Sequence, residues 1–169
     1  GASEGGAGGG AASSHPGRSA VVRTYAPISH REEAEIEQCL GVSVSVTVHA
    51  VDMSRGSSAT CHGFPGQPVS KGDLWKAYRG SYEDEPFMRL VAGGGGVYRY
   101  PEPKAVAGTN IGEVGFELDP SNKRIVAFSA IDNMMKGSAG QAIHGTNIAL
   151  GLEETAGLDF QGLHPVGAP

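Results

Sequence analysis

The spacing of apolar and polar residues changes several times along the chain, and each change marks an expected element. Over residues 31–40, Ile36 and Leu40 recur at helical spacing behind early acidic residues, with Gly41 just past the end. This predicts a short amphipathic helix whose acids suit the positive N-terminal dipole. Period two follows. Val42, Val44, Val46 and Val48 alternate with Ser43, Ser45, Thr47 and His49, predicting a strand with one buried face. Residues 57–64 read as its hairpin partner across an Arg55-Gly56 turn. Ser70 and Asp73 make a capping-box start for a helix that carries Leu74, Trp75, Tyr78 and Tyr82 on one face and ends before Pro86. Residues 87–91, 105–107, 113–118 and 124–131 read as strands, the last two joined by the turn Asp119-Pro120-Ser121-Asn122. Residues 137–152 predict a helix rich in small residues, and 157–169 an aperiodic surface tail. Strands joined by hairpin turns with helices between them indicate an α+β fold with helices on one face of the sheet.

Composition narrows the class. The chain has 169 residues, 39% of them hydrophobic and 18% charged, with a formal net charge of -5. That is apolar enough for a packed core and suits one domain rather than several. Lys and Arg are scattered without a basic stripe, so nucleic acid is not an expected partner. No stretch approaches the ~20 apolar residues of a membrane span, and the start lacks the features of a signal peptide. A soluble, cytoplasmic protein is expected. Cys39 and Cys61 are too few for a disulfide framework and lack metal-ligand spacing, and the six histidines form no i, i+4 pair, so no metal site is expected. Glycine is the outlier, at 27 residues, concentrated in 1–10 and 93–96. Such runs are either flexible connectors or places where backbone N–H groups approach a ligand.

The chemistry-bearing candidates are few. No dinucleotide glycine fingerprint, P-loop or nucleophile elbow is present. His30 precedes the first helix, with Glu35 further along it; it could serve as an acid/base group or simply cap the helix. Arg55, Lys104 and Arg89 offer cations to an anionic ligand, or are solvated surface charge. Asp132-Asn133 and the residues up to Gly140 place polar groups between a strand end and a helix start, where ligands often meet backbone and amide donors.

That last segment carries a resemblance. Asp132-Asn133-Met134-Met135-Lys136-Gly137-Ser138-Ala139-Gly140-Gln141-Ala142 is similar to the signature D-N-L-x-K-G-A-A-G-Q-A of the N-acetyl-gamma-glutamyl-phosphate reductases and their semialdehyde dehydrogenase relatives. Tyr25-Ala26-Pro27, His30-Arg31, Glu35-Ile36, Arg55-Gly56, Glu85-Pro86-Phe87 with Arg89, Gly108-Thr109-Asn110 and the Gly-Leu-Glu-Glu-Thr run from Gly151 support it in order. The opening Gly1-Ala2-Ser3-Glu4 resembles the archaeal branch, whose members act on N-acetylglutamyl phosphate, on a carrier-protein-bound aminoadipyl or glutamyl phosphate, or on both.

The resemblance implies an NADPH-dependent reduction of an acyl phosphate to a semialdehyde through a cysteine thioester, in arginine or lysine biosynthesis. It implies the C-terminal half only, with the dinucleotide-binding Rossmann domain and the nucleophilic Cys outside this sequence. The fold then expected is a mixed, largely antiparallel sheet with helices on one face, of the dimerisation and substrate domain type. Residues 1–30 would be a substrate loop and connector, 31–131 the α+β domain, 132–155 the cofactor-side loop and helix, and 156–169 the tail. Under this reading His30 is the acid/base group, oriented by Glu35. Ser3, Arg55 and Lys104 contact substrate, and Asn133 and Gly137 contact NADP. The family's second histidine stands here as Glu32. A homo-oligomer is expected, with a small acyl phosphate or an amino-group carrier protein as partner. An aspartate-semialdehyde dehydrogenase-like enzyme and a non-catalytic dimerisation or carrier-binding module are the alternatives.

Overall fold

The computed structural model describes residues 15–92, 95–96, 99–121 and 123–163. Ser3, most of both glycine runs, Asn122 and the last six residues lie outside them. The chain forms two compact units that divide between Ser54 and Arg55, inside the span expected as one 31–131 domain. The reason is strand pairing, as follows.

The first unit contains α1 (His15–Arg18), β1 (Val22–Tyr25), α2 (Arg31–Leu40) and β2 (Val48–Val51). The α2 helix has the expected bounds. His30 is its N-cap, and Gly41, at φ 66°, closes it by donating its N–H to the Glu37 carbonyl at 2.8 Å. A residue with a side chain is disfavoured in that left-handed conformation, so the sequence stops the helix there.

The valine-rich strand is corrected. Only Val48 of 42–48 is in a strand, and β2 pairs antiparallel with β1, Val22 opposite Val51 through Tyr25 opposite Val48, not with residues 57–64. The alternation nevertheless reports the facing, since Val44, Val46 and Val48 are half-buried while Ser43, Ser45 and Thr47 are exposed. What prevents ladder formation is the helix beside it. The Glu37 carboxylate accepts the Val44 N–H at 3.1 Å, and the Glu33 carboxylate accepts the Val46 N–H at 2.8 Å. Side-chain acceptors thus satisfy the backbone donors that a neighbouring strand would otherwise take.

The second unit holds β3 (Ser57–Gly63), α3 (Lys71–Tyr82), β4 (Met88–Leu90), β5 (Gly112–Asp119), β6 (Arg124–Ile131), a π-helical turn (Met135–Ala139) and α4 (Gly140–Ala149). Its sheet runs β3-β6-β5-β4, antiparallel except for the parallel β4–β5 pair. The α+β fold with a mixed, largely antiparallel sheet is therefore as expected, including the β5–β6 hairpin. In that turn Asp119 accepts from the Ser121 N–H and pairs with Arg124 at 3.2 Å.

The core lies between the sheet and α3. Phe116 is fully buried and meets the rings of Trp75 at 5.2 Å and Tyr78 at 4.7 Å. Ser70 caps α3 reciprocally with Asp73, as the sequence pattern indicates. On the opposite face, a Cβ at Gly115 would run into the Val91 carbonyl oxygen and lie 2.9 Å from Pro101. Only glycine permits that approach. Tyr100, on the same segment, stacks at 4.8 Å from Phe128.

Two further expectations change. Residues 105–107 are turns rather than strand: Ala105, Ala107 and Thr109 each donate an N–H to the carbonyl three residues back, around the fully buried Val106. The expected surface tail is partly internal. Leu158 is buried, the Asn147 amide donates to the Glu154 and Ala156 carbonyls, and the Leu163 N–H reaches the Ala107 carbonyl at 2.7 Å. Hydrogen bonds from a polar helix residue hold this segment, and apolar periodicity does not register them. Among the described residues no helix is long and apolar enough to cross a membrane.

Candidate functional site

The expected site residues divide between the two units. His30, Glu35 and Glu32 belong to the first; Arg55, Lys104, Asn133 and Gly137 belong to the second.

In the first unit His30 is half-buried and its Nδ1 accepts the Glu32 N–H at 3.4 Å, with the Tyr25 ring 6.2 Å away. Glu32 thus contributes its backbone to His30. No hydrogen bond or ion pair joins the exposed Glu35 carboxylate to the ring, so the imidazole is oriented by the helix start and not by Glu35. The cap occupies Nδ1 as an acceptor, which leaves the other ring nitrogen to carry the proton.

In the second unit Arg55 and Gly137, though not Lys104, bond to a residue that the sequence reading left out of the site, Asp132. Its side chain is fully buried at the end of β6. Four donors reach it: the Arg55 guanidinium at 3.0 Å and the Gly108 N–H at 2.7 Å on one oxygen, the Met134 N–H at 2.7 Å and the Met135 N–H at 3.1 Å on the other. Burial alone would raise the carboxyl pKa. The Gly108, Met134, Arg55 and Met135 bonds outweigh it and hold the group below the usual carboxylate value.

Around this carboxylate the other residues take their places. The Asn133 side-chain oxygen accepts the Gly56 N–H at 2.7 Å, and the Gly137 N–H donates to the Asp132 carbonyl at 3.0 Å. Gly56 has φ 110°, and a Cβ there would stand 2.5 Å from the Pro103 Cβ. Glycine is required by both the backbone angle and the space. Pro103 also places the exposed Lys104 on the segment that closes over Gly56. A strand-end Asp followed by a helix start is the signal that could have found Asp132, because such carboxylates accept the unpaired first N–H groups of a helix.

A second cluster lies nearby on α4. His144 is buried, its Nε2 2.6 Å from the Glu154 carboxylate and its ring 4.8 Å from Phe87. The Lys136 ammonium sits 5.4 Å over the same Phe87 ring. Burial lowers the Lys136 pKa, while the charges of Glu154 and Glu85 act the other way.

A family model, the semialdehyde dehydrogenase dimerisation domain, matches residues 1–133. This chain belongs to that family. The chain is 80% identical over all 169 residues to a protein of Haloarcula marismortui, and 79% identical over 169 residues to one of Natronomonas pharaonis. Both carry the name LysW-L-2-aminoadipate/LysW-L-glutamate phosphate reductase. The chain covers 49% of each, so it spans about half the length of the curated relatives it matches. Among solved structures, aspartate semialdehyde dehydrogenase II of Vibrio cholerae, complexed with ASA, aligns with a TM-score of 0.57 at 18% identity, over 76% of this chain and 41% of that one. At that identity the likeness concerns the fold.

Proposed function

We propose that this chain is the C-terminal part of a reductase that converts an acyl phosphate to its semialdehyde with NADPH, in lysine or arginine biosynthesis. The substrate is carrier-bound aminoadipyl or glutamyl phosphate, N-acetylglutamyl phosphate, or more than one of these. The observation that carries the reading is the 80% identity, across the whole chain, to a relative named for LysW-bound substrates. In this reading the protein is a cytoplasmic homo-oligomer whose protein partner is an amino-group carrier.

The roles follow from the chemistry of each group. An acyl phosphate presents a dianionic phosphoryl group, which Arg55 meets with the guanidinium nitrogens turned away from Asp132, assisted by Lys104. Ser3 donates a hydrogen bond to the phosphate or carbonyl. His30, capped through Nδ1, moves a proton at its other nitrogen during acyl transfer to and from a thiol. Asn133 and Gly137, half-buried and exposed respectively, contact the dinucleotide in this reading. When bound, NADPH supplies the hydride. Neither Cys39 nor Cys61 stands in the family's nucleophile context, so the thiol belongs to the half of the relatives that this chain does not cover.

The test is NADPH oxidation by the full-length enzyme with carrier-bound aminoadipyl phosphate, carrier-bound glutamyl phosphate and N-acetylglutamyl phosphate in parallel. Turnover with at least one of them is expected, and none from the 169-residue chain alone. A full-length enzyme that reduces no acyl phosphate refutes the reading, and reduction of aspartyl phosphate alone would replace it with the aspartate-semialdehyde dehydrogenase alternative.

A further inference from the structure

We propose that Asp132 is a positioning residue that fixes the Arg55 guanidinium for binding the phosphoryl group of the substrate; this rests on the reading of Arg55 as an anion contact. The Arg55 side chain is 34% exposed and Asp132 is 0% exposed, so the guanidinium bridges a sealed carboxylate and solvent. One nitrogen, Nη1, is spent on Asp132 at 3.0 Å. A guanidinium is a planar fork of five N–H groups, so fixing one edge aims the others.

The anchor itself cannot turn. Both Asp132 oxygens are held by backbone N–H groups from separate segments, Gly108 on one side and Met134 and Met135 on the other. Rotating the carboxylate to follow a moving arginine would break all three. The backbone of the arginine is clamped as well, because the Gly56 N–H next to it is held by the Asn133 oxygen and Pro103 leaves no room for a side chain at Gly56. An arginine held at both ends loses little freedom when an anion arrives, and preorganisation of this kind is expressed as affinity. The arrangement also explains why a buried carboxylate should stand beside a site for an anion, where its charge opposes binding. It sacrifices some electrostatic attraction for a fixed donor geometry.

A purely structural knot would give the same static contacts, so the test is a double-mutant cycle in the full-length enzyme. The readouts are KM for the acyl phosphate, inhibition by inorganic phosphate, KM for NADPH, and kcat. Asp132→Asn is expected to raise the acyl phosphate KM and the inhibition constant of phosphate by about tenfold, with NADPH KM and kcat changed by less than about threefold. In an Arg55→Ala background the same substitution should change the two phosphate-dependent constants by less than about twofold, because its route of action is gone. Equal effects in both backgrounds would overturn the proposal. Where Asp132→Asn does not fold, Arg55→Lys decides. A lysine has one nitrogen and no planar fork, so bonded to Asp132 it presents no aimed pair of donors to phosphate and should weaken phosphate inhibition toward the Arg55→Ala value; retention of wild-type inhibition overturns the proposal. A wild-type enzyme without activity on acyl phosphates would instead refute the functional reading, and unchanged phosphate inhibition in Arg55→Ala would refute the role of Arg55 itself.

Discussion

Alanine at Gly145 and alanine at Gly140 should move the stability of the same helix in opposite directions. Glycine inside a helix is disfavoured relative to alanine by roughly 0.5–1 kcal/mol, through backbone entropy, so propensity alone predicts a gain at both positions. At Gly145 nothing lies within 4 Å of an added Cβ, and the position is exposed. Gly145→Ala should therefore stabilise by about that amount. At Gly140 the backbone accepts alanine, since φ is −65°. The space does not. A Cβ would be driven into the Asn110 side-chain oxygen, and would stand 2.9 Å from the Met135 carbonyl oxygen and 3.0 Å from the Asn110 Cγ. Neither neighbour yields easily, because the Met135 carbonyl accepts the Gly140 N–H and Asn110 is only 1% exposed. Forcing a methyl into packed surroundings costs about 1–3 kcal/mol, and after the propensity gain Gly140→Ala should destabilise by about 1–2 kcal/mol. Urea unfolding reads both, at one fixed protein concentration because self-association would shift the midpoint. For a chain of this size the corresponding fall in Tm for Gly140→Ala is about 2–8 °C. A Gly140→Ala midpoint at or above wild type would refute the packing argument. A lowered midpoint for Gly145→Ala would refute the open space.

Three other outcomes are expected. In the full-length enzyme His30→Asn should lower turnover by about 100- to 10,000-fold with cofactor affinity near normal, since asparagine keeps the cap on α2 but titrates no proton; retention of more than about a tenth of the activity would move the acid/base role to Glu32. Because the Asp132 carboxyl pKa is lowered in the fold, its stabilising contribution is complete above the ordinary value of 3.8 and is lost as pH falls through the folded value; acid unfolding followed by circular dichroism should be less steep in Asp132→Asn, and an unchanged profile would assign acid sensitivity to other groups. Ser70→Ala removes one half of the capping box on α3 and should cost about 0.5–2 kcal/mol in urea, whereas a loss below about 0.2 kcal/mol would mean that the helix start is held by its packing.

What could be read from the sequence alone is what local physics decides. The α2 helix begins after His30 and stops at Gly41 because its cap and its left-handed terminator are written in adjacent residues. The α3 capping box and the β5–β6 hairpin were legible for the same reason: donors and acceptors lie within a few residues of each other. The motif from Asp132 to Ala142 and its companions also carried the family, since a signature is a local string. Arg55, Lys104, Asn133 and Gly137 could be named as candidates, but not that Arg55 and Gly137 both bond to Asp132.

Tertiary structure decided the rest, through partners from 7 to 77 residues away. The valines of 42–48 alternate as in a strand, but Glu33 and Glu37 reach across from α2 and take the amides a sheet would need. Residues 57–63 find β6 rather than β2, a choice made by register across about seventy residues that no local period encodes. The start of the tail is retained by the Asn147 amide at Ala156, by the Leu163 N–H on the Ala107 carbonyl and by the buried Leu158. Asp132 is the mixed case: an aspartate between a strand end and a helix start announces a cap, but not that Arg55 and Gly108 are brought to it from 77 and 24 residues away. Its burial and its four donors are properties of the assembled fold.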